Sequence, residues 1–349
     1  MFDLAIVGAG PIGLETAILA KHAGLDYVVL DKGSVVNAIR GYPTYMTFFT
    51  TSDRLEIGGH PLVSATDKPT RKEALDYYRR VVQNEDLKVR QYTEVVKIEQ
   101  CAGGFQLVHR EQRGASGAAP SGAVSGPPGD ASTGEGRLRA RKVAVATGYY
   151  DHPKLLDVSG EELPHVSHYY TEAHPYFRRE VVIVGAGSSA ADAALDLHRA
   201  GARVTMIHRG GDFRHSLKYW VRPNLENRVK EGSITLHLNT SVKRITPDAV
   251  VASKEGRELL IPAHQVFLLT GYYAPPTLLT TAGVKHDPKT LACDLDPDTF
   301  ESNVPGLYLI GSAGHGNRTS DVFIENGIEH AKGAMGDIIE KLEATPVGT

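Results

Sequence analysis

A glycine-rich turn near the start of the chain has the residue types and spacing of a phosphate-binding loop. Three glycines, the first at Gly8, follow the apolar run Phe2–Val7 and precede helical apolar spacing at residues 14–23. In such a strand–turn–helix the glycines make the turn, let the backbone approach a pyrophosphate and let the helix pack on the strand. The helix N-terminus adds N–H donors and a partial positive charge. The segment predicts a dinucleotide site with contacts from Gly8, Gly10, Pro11, Ile12 and Gly13.

The same pattern returns in the second half of the chain. A strand-like run, Glu180–Val184, leads into another glycine turn, and helical apolar spacing covers residues 191–200. Residues 183–187 repeat residues 6–10 letter for letter, as IVGAG. The fingerprint permits alanine at its third position, and serines at the start of the helix can donate hydroxyl hydrogens. This second dinucleotide site is predicted to take its contacts from Gly185, Gly187, Ser188, Ser189 and Ala190.

The residues after the second strand of each unit distinguish the two sites. Asp31 follows Tyr27–Leu30 and can accept hydrogen bonds from a ribose 2′-hydroxyl, whereas its charge repels a 2′-phosphate. After the strand at residues 204–207 the matching position is His208, and Arg209 and Arg214 follow it. Guanidinium groups can hold a 2′-phosphate in bidentate fashion, although a solvated basic turn would look the same in the sequence. The first site, which includes Lys32, is therefore predicted to bind FAD, and the second NADPH.

Two further matching segments indicate how the domains are connected. ATGYYDHP at residues 146–153 resembles LTGYYAPP at residues 269–276, and each follows an apolar strand-like run. We predict an α/β fold of two Rossmann-like domains, of the three-layer ββα type, with the NADPH domain inserted in the FAD domain. The FAD domain would comprise residues 1–153 and 274–349, and the NADPH domain residues 154–273. Residues 114–136, rich in Gly, Ala, Ser and Pro, are expected to form a flexible loop.

Composition excludes several other classes of protein. The net charge is −3, and there is no basic tract or RNA-binding motif, so no nucleic-acid partner is expected. Two cysteines cannot form a disulfide framework and suit a reducing compartment. No segment approaches the roughly 18 apolar residues of a membrane span. The N-terminus lacks the basic region of a signal peptide. We therefore expect a cytoplasmic protein without a membrane contact, and the histidines lack the spacing of a metal site.

Four longer strings carry a resemblance to a known family. They are YPTYMTFFTTSDRLEIGG at 42–59, VSHYY at 166–170, SLKYWV with ENR at 216–221 and 226–228, and FIENG at 323–327. With the two fingerprints they resemble the low-molecular-weight thioredoxin-reductase-like flavoproteins, and among these the bacillithiol-disulfide-reductase-like flavoproteins. The likeness covers essentially the whole chain. It implies FAD extended across the first domain and NADPH as the hydride donor.

The resemblance also implies cofactor contacts outside the fingerprints. Asn37 and Tyr42 match residues on the flavin side, and the backbone of Val95 matches a contact to adenine. The last helix is expected to begin at Ser320 or Asp321, with its N-terminus stabilising negative charge on the reduced flavin. The full set implied in this way is Asn37, Tyr42, Val95, Thr147, Gly148, Gly311, Ser320 and Asp321.

The sequence departs from the resemblance at its cysteines. Thioredoxin reductases carry C-x-x-C before the second fingerprint, and the matching stretch here, YTEAHP at 170–175, has no cysteine. Bacillithiol-linked relatives usually have one cysteine in the first fingerprint, as GPCG, where this chain has Ile12. Cys101 and Cys293 form no redox motif and are predicted to be buried or incidental thiols. No catalytic side chain is assigned.

We therefore expect an NADPH-dependent FAD reductase, working as a homo-oligomer, whose electron acceptor is open. The resemblance favours a small-molecule disulfide such as bacillithiol disulfide, although Ile12 cannot form a mixed disulfide. A redox carrier protein, a ferredoxin or flavodoxin, is the alternative acceptor. A non-catalytic flavin and NADPH sensor, or a flavin monooxygenase, would be a protein of a different class.

Overall fold

The computed structural model describes residues 1–112, 134–214 and 217–344. Its strands are β1 (Phe2–Val7), β2 (Tyr27–Leu30), β3 (Val89–Arg90), β4 (Thr93–Cys101), β5 (Gly104–Glu111), β6 (Glu135–Val145), β7 (Val166–Ser167), β8 (Glu180–Val184), β9 (Arg203–Ile207), β10 (Ile234–His237), β11 (Thr240–Ile245), β12 (Ala249–Lys254), β13 (Arg257–Pro262), β14 (Gln265–Leu268) and β15 (Leu307–Leu309). Its helices are α1 (Pro11–His22), α2 (Asn37–Arg40), α3 (Arg71–Asn84), α4 (Ser188–Arg199), α5 (Arg222–Lys230), α6 (Thr277–Thr280) and α7 (Ile324–Glu343), with 3₁₀ turns at Ser52–Leu55 and His174–Tyr176.

The first sheet has the order β3-β2-β1-β6-β5-β4, and β15 also pairs with β6. Strands β1, β2, β3 and β15 run parallel to their neighbours, whereas β4, β5 and the first half of β6 form an antiparallel meander. Parallel strands are covered on both faces, and here α1 and α7 pack together on one face of β1. Tyr78 and Tyr308 are fully buried in the core on this face.

The remaining strands form two smaller sheets. The parallel sheet has the order β10-β9-β8-β14-β7, and β11, β12 and β13 form an antiparallel sheet beside it. A parallel sheet with a helix on one face and an antiparallel meander on the other is the expected three-layer arrangement. The prediction of an α/β fold with two Rossmann-like halves is confirmed.

The chain passes between the two halves at two adjacent crossovers. Pro153 and Tyr272 form an antiparallel bridge there, and the amide of Lys154 donates to the carbonyl of Gly271 at 2.9 Å. Within the described residues, all strands of the two smaller sheets come from residues 154–273, and all strands of the first sheet from outside that range. This membership supports the proposed boundaries at 153/154 and 273/274, which stay a prediction.

Strand bounds were predicted more accurately than helix starts. The strands Phe2–Val7, Tyr27–Leu30 and Glu180–Val184 have the predicted bounds. Helices α1 and α4 each begin three residues earlier than predicted, because their first turns consist of fingerprint residues that carry no apolar periodicity. Of the predicted loop 114–136, residues 114–133 lie outside the described ranges, and β6 already begins at Glu135. No helix in the described ranges is both long and apolar enough to cross a bilayer.

Candidate functional site

Each glycine of the first fingerprint is explained by a different feature of the structure. Gly8 has φ +112°, and a Cβ there would lie 2.5 Å from the carbonyl oxygen of Ala146. A Cβ on Gly13 would lie 2.0 Å from the carbonyl oxygen of Gly8, so Gly8 is required by Ala146 and Gly13 by the packing of α1 on the turn. A Cβ on Gly10 would meet no protein atom within 4 Å. Protein packing therefore does not explain Gly10, whereas close approach of a ligand to its backbone does.

Asp31 is held against the same turn. One carboxylate oxygen accepts from the Ala9 amide at 2.6 Å, and the other accepts from the Gly33 amide at 2.7 Å. Burial raises the pKa of Asp31, and these two hydrogen bonds act in the opposite direction. Each oxygen retains a lone pair, which suits two adjacent ribose hydroxyls. The neighbouring Lys32 ammonium pairs with Asp151 at 3.0 Å.

A single large cavity connects the two fingerprint turns. Its volume is about 1560 Å³, above the roughly 300–1,000 Å³ of a site for one drug-sized ligand. The predicted contacts that line it are Gly8, Gly10, Pro11, Ile12, Asp31, Lys32, Asn37, Tyr42, Val95, Thr147, Gly148, Gly187, Ser188, Ser189, Arg214, Gly311 and Ser320. The predicted contacts that do not line it are Gly13, Gly185, Ala190, His208, Arg209 and Asp321. The cavity thus adjoins both fingerprint turns and is larger than a site for one drug-sized ligand.

The glycines of the second fingerprint have surroundings similar to those of the first. Gly185 has φ +138°, and a Cβ there would lie 2.3 Å from the carbonyl oxygen of Leu269. A Cβ on Gly187 would meet only the Arg214 side chain, at 3.9 Å. The methyl group of Ala190 is 3.5 Å from where a Cβ on Gly185 would be, an ordinary contact distance that explains why alanine is accepted here. Gly187, like Gly10, leaves room for a ligand.

Two cationic side chains, Lys154 and Arg214, line the cavity near this second turn, and the charge of Arg209 also acts on Lys154. The Arg214 amide donates to the Ala186 carbonyl at 3.1 Å, and a Cβ built on Gly271 would lie 3.8 Å from its guanidinium. Lys154 at the crossover also lines the cavity. Burial lowers the pKa of Lys154, and the charged groups that lower it further are Arg214 and Arg209. Burial, Arg209 and Arg214 likewise lower the pKa of His208, which is therefore neutral near pH 7.

Lys154 is not among the contacts predicted from the sequence, where it marks only a domain boundary. Its one local signal is its position directly after the segment ATGYYDHP, whose counterpart at 269–276 contains Gly271. The side chain reaches the second fingerprint only because the two crossovers run side by side. Three clustered cations form a phosphate-binding environment.

Aromatic side chains form the wall between the two fingerprints. The ring centroids of Tyr42 and Tyr150 are 4.9 Å apart, and those of Tyr150 and Tyr272 are also 4.9 Å apart. The Tyr150 hydroxyl donates to the Gly41 carbonyl at 2.9 Å. Burial raises the pKa of Tyr272 to about 12, so this phenol is neutral at physiological pH. All three rings line the cavity and present flat apolar surface to it. Only Tyr42 was predicted as a contact.

Ile12 is packed tightly where relatives carry a cysteine. Its Cδ1 is 2.7 Å from the position a Cβ on Gly327 would take, and its Cγ1 is 3.3 Å from that on Gly311. Neither Cys101 nor Cys293 lines the cavity. Burial raises the pKa of Cys293 to about 11, which keeps it a thiol. No protein thiol is therefore present where the cofactors and an acceptor would meet.

The last helix begins later than predicted, at Ile324 instead of Ser320 or Asp321. Phe323 is extended, and its amide donates to Asn326 Oδ1 at 2.7 Å. Asn326 Nδ2 in turn donates to the Asp321 carbonyl at 2.9 Å, which holds the preceding residues in a turn. Ser320 still lines the cavity, as do Phe323 and the first residues of α7, so the helix N-terminus faces it. In the described residues no group of three or more His, Cys, Asp or Glu could hold a metal ion.

Comparison with known proteins identifies similar chains over nearly the full length. The profile of the family described as pyridine nucleotide-disulphide oxidoreductase matches residues 5–115 and 130–311. Bacilliredoxin reductase Bdr of Bacillus subtilis (strain 168) is 36% identical over 337 residues, covering 96% of this chain and 97% of that protein. A solved structure of bacillithiol disulfide reductase Bdr from Bacillus cereus superposes with a TM-score of 0.90 at 36% identity, covering 97% and 99%. A ferredoxin–NADP reductase of Ignicoccus hospitalis is 25% identical over 323 residues, covering 89% and 90%.

Proposed function

Because the chain belongs to the pyridine nucleotide-disulphide oxidoreductase family, we propose that it transfers electrons from NADPH through FAD to a low-molecular-weight disulfide. It is an NADPH-dependent flavoprotein reductase, and its cofactors are FAD and NADPH. The overall reaction would be NADPH + H⁺ + RSSR → NADP⁺ + 2 RSH, in which the hydride supplies both electrons that break the S–S bond. The observation that carries the proposal is the single cavity that joins both fingerprint turns.

The residues of the first half fit FAD. The open space at Gly10 admits a pyrophosphate, and Asp31 is fixed to accept from a ribose. Tyr42 and Asn37 line the cavity further along, where the N-terminus of α7 also faces it. Bound there, the flavin supplies the hydride-accepting chemistry, and the protein supplies orientation and electrostatics. The partial positive charge of α7 favours a flavin site that gains negative charge on reduction.

The residues of the second half fit NADPH. Gly187 and the start of α4 suit the pyrophosphate, with Lys154 and Arg214 adding positive charge beside the turn. Arg209 follows β9, where the 2′-phosphate of a Rossmann-bound dinucleotide lies, and no acid stands at the position of Asp31. The neutral His208 next to it can donate one hydrogen bond but contributes no charge.

The acceptor must reach the flavin directly in this proposal. Ile12 fills the place of the fingerprint cysteine, and neither of the chain's cysteines lines the cavity. A relay through a protein thiol is therefore not part of the proposed route. The disulfide would be cleaved by electrons delivered at the flavin itself, and its two thiols would leave through the same opening. Bacillithiol disulfide is the proposed substrate, in accord with the name of the Bacillus cereus relative at 36% identity.

A redox carrier protein is the second candidate acceptor. The substitution of cysteine by Ile12 favours it, and a ferredoxin–NADP reductase is among the relatives. An anaerobic acceptor panel separates the two: NADPH absorbance is followed with bacillithiol disulfide, glutathione disulfide, a ferredoxin and a flavodoxin in turn. Turnover with bacillithiol disulfide, above that with the other three, supports the proposal. Turnover with the ferredoxin or flavodoxin alone would replace it by the second candidate.

Two properties of the whole molecule also stay proposals. We propose a homo-oligomer, to be measured by light scattering on the eluting protein. A cytoplasmic location is proposed on the cysteine content, since two cysteines suit a reducing compartment.

A further inference from the structure

The mouth of the cavity has an unusual set of exposed side chains. Among the described residues, ten large hydrophobic side chains are exposed, and four of them, Tyr45, Phe49, Trp220 and Phe323, line this one cavity. Exposed apolar side chains scattered singly need no explanation, whereas a cluster at a cavity opening marks a binding surface. Lys68 and Lys218 line the same opening. We call Phe49, Lys68, Lys218, Trp220 and Phe323 the cation–aromatic rim.

The members of the rim contact one another in a chain. Phe49 and Phe323 meet edge to face, with ring centroids 5.5 Å apart. The Lys218 ammonium lies 5.2 Å from the centroid of Phe49 and 5.9 Å from that of Trp220. The Lys68 ammonium lies 5.6 Å from the centroid of Trp220. Two ammonium groups thus flank one indole, although the two lysines are far apart in the sequence.

The charge of the rim is positive. Lys218 pairs with Asp192, but only at 3.5 Å, and Lys68 forms no ion pair within the described residues. Glu325 also lines the cavity, in the first turn of α7. Glu325 is half-buried, and its charge contributes to the raised pKa of the buried Tyr78 of α3. Ammonium groups held on ring faces keep N–H donors free for an anion, and the rings offer surface for apolar carbon.

We propose that the cation–aromatic rim binds the carboxylate-bearing arms of the acceptor disulfide, so that the enzyme selects anionic disulfides. This inference rests on the proposed function, since it concerns the acceptor of the same site. The proposed function places two dinucleotides in the interior of the cavity, and Ile12 closes the thiol route, so the acceptor would enter at the mouth. Its S–S bond points inwards, and its two arms remain at the rim.

Three disulfides of similar size and different charge test this selection. Dithiodipropionate carries two carboxylates, hydroxyethyl disulfide is neutral, and cystamine carries two ammonium groups. With the wild-type holoenzyme we expect the highest kcat/KM for dithiodipropionate and the lowest for cystamine. Lys68→Met/Lys218→Met should lower kcat/KM for dithiodipropionate by roughly 5- to 20-fold, with cystamine unchanged or improved. Lys230→Met/Lys243→Met, which removes two exposed lysines away from the cavity, is the matched control.

The only tryptophan of the chain provides a readout independent of turnover. Trp220 fluorescence of the oxidised holoenzyme is titrated with dithiodipropionate, which should quench it saturably in the wild type and not in the rim variant. Flavin content and melting temperature confirm that the variant is folded. Reduction of the three disulfides with no charge preference would overturn the proposed role of the rim. Quenching of Trp220 fluorescence that survives the double substitution would overturn it as well. If neither these disulfides nor bacillithiol disulfide accelerates turnover although NADPH still bleaches the flavin, the proposed function itself fails, and the rim with it. Turnover with bacillithiol disulfide but with none of the three would overturn selection by charge.

Discussion

Replacing Arg209 by methionine should weaken the binding of NADPH and leave the binding of NADH unchanged. Arg209 is exposed after β9, and its charge lowers the pKa of the nearby Lys154 and His208. A hydrogen bond to a charged group contributes about 1.5–3 kcal/mol, and an exposed ion pair about 0.2–1 kcal/mol. Arg209 is exposed in the protein and would be partly covered by the phosphate. We therefore expect its contact to contribute about 1.4 kcal/mol, between these two ranges. That energy is roughly tenfold in kcat/KM for NADPH.

The assay is the rate of anaerobic flavin reduction at a series of NADPH and NADH concentrations. We expect Arg209→Met to raise the half-saturating concentration of NADPH roughly tenfold, with no more than a twofold change for NADH. Arg257→Met, an exposed arginine at the β12–β13 hairpin, is the matched control for the loss of one positive charge. Equal losses for both nucleotides, or no loss for either, would refute the assignment of Arg209 to the 2′-phosphate.

Four other substitutions probe the two cofactor sites and the core. Gly10→Val should abolish FAD binding and leave a folded chain, whereas Gly13→Ala should unfold the chain because its Cβ would lie 2.0 Å from the Gly8 carbonyl. Flavin content and circular dichroism distinguish the two outcomes. A Gly10→Val protein that still binds flavin would contradict the reasoning. Lys154→Met should raise KM for NADPH and NADH alike, by roughly 3- to 10-fold, because its site adjoins the pyrophosphate turn common to both; an effect confined to NADPH would argue against this. Burial lowers the pKa of His330 from 6.5 to about 4, so the unfolded chain binds the proton first and the melting temperature should fall as pH drops from 6.5 to 4. His330→Leu should flatten that decline, and an unchanged slope would show that other groups cause it.

The fold was predictable because the fingerprints combine local and tertiary constraints. A strand, a glycine turn and a helix follow one another within about 30 residues, and the glycine positions are set by contacts inside that unit. Gly8 and Gly13 illustrate this, since each is required by an atom of the same motif or its neighbouring strand. The helix starts were displaced because their first residues serve the turn and carry no apolar pattern.

The parts of the site that depend on chain crossings were not predictable from the sequence. Lys154 becomes a fingerprint neighbour only through the pairing of the two crossovers. The contact between Tyr150 and Tyr272 arises in the same way. The start of α7 at Ile324 depends on the hydrogen bonds of the Asn326 side chain, which accepts from the Phe323 amide and donates to the Asp321 carbonyl. The cation–aromatic rim joins residues from three distant segments, which no local pattern connects.

The thiol-free transfer of electrons is tested most directly in a protein without cysteine. Cys101→Ser/Cys293→Ser holoenzyme is mixed anaerobically with one equivalent of NADPH and then with bacillithiol disulfide, while flavin absorbance is followed. The account predicts bleaching by NADPH and recovery on addition of the disulfide, both at wild-type rates, because neither cysteine lines the cavity. Normal bleaching without recovery, in a variant whose wild-type parent does recover, would contradict it.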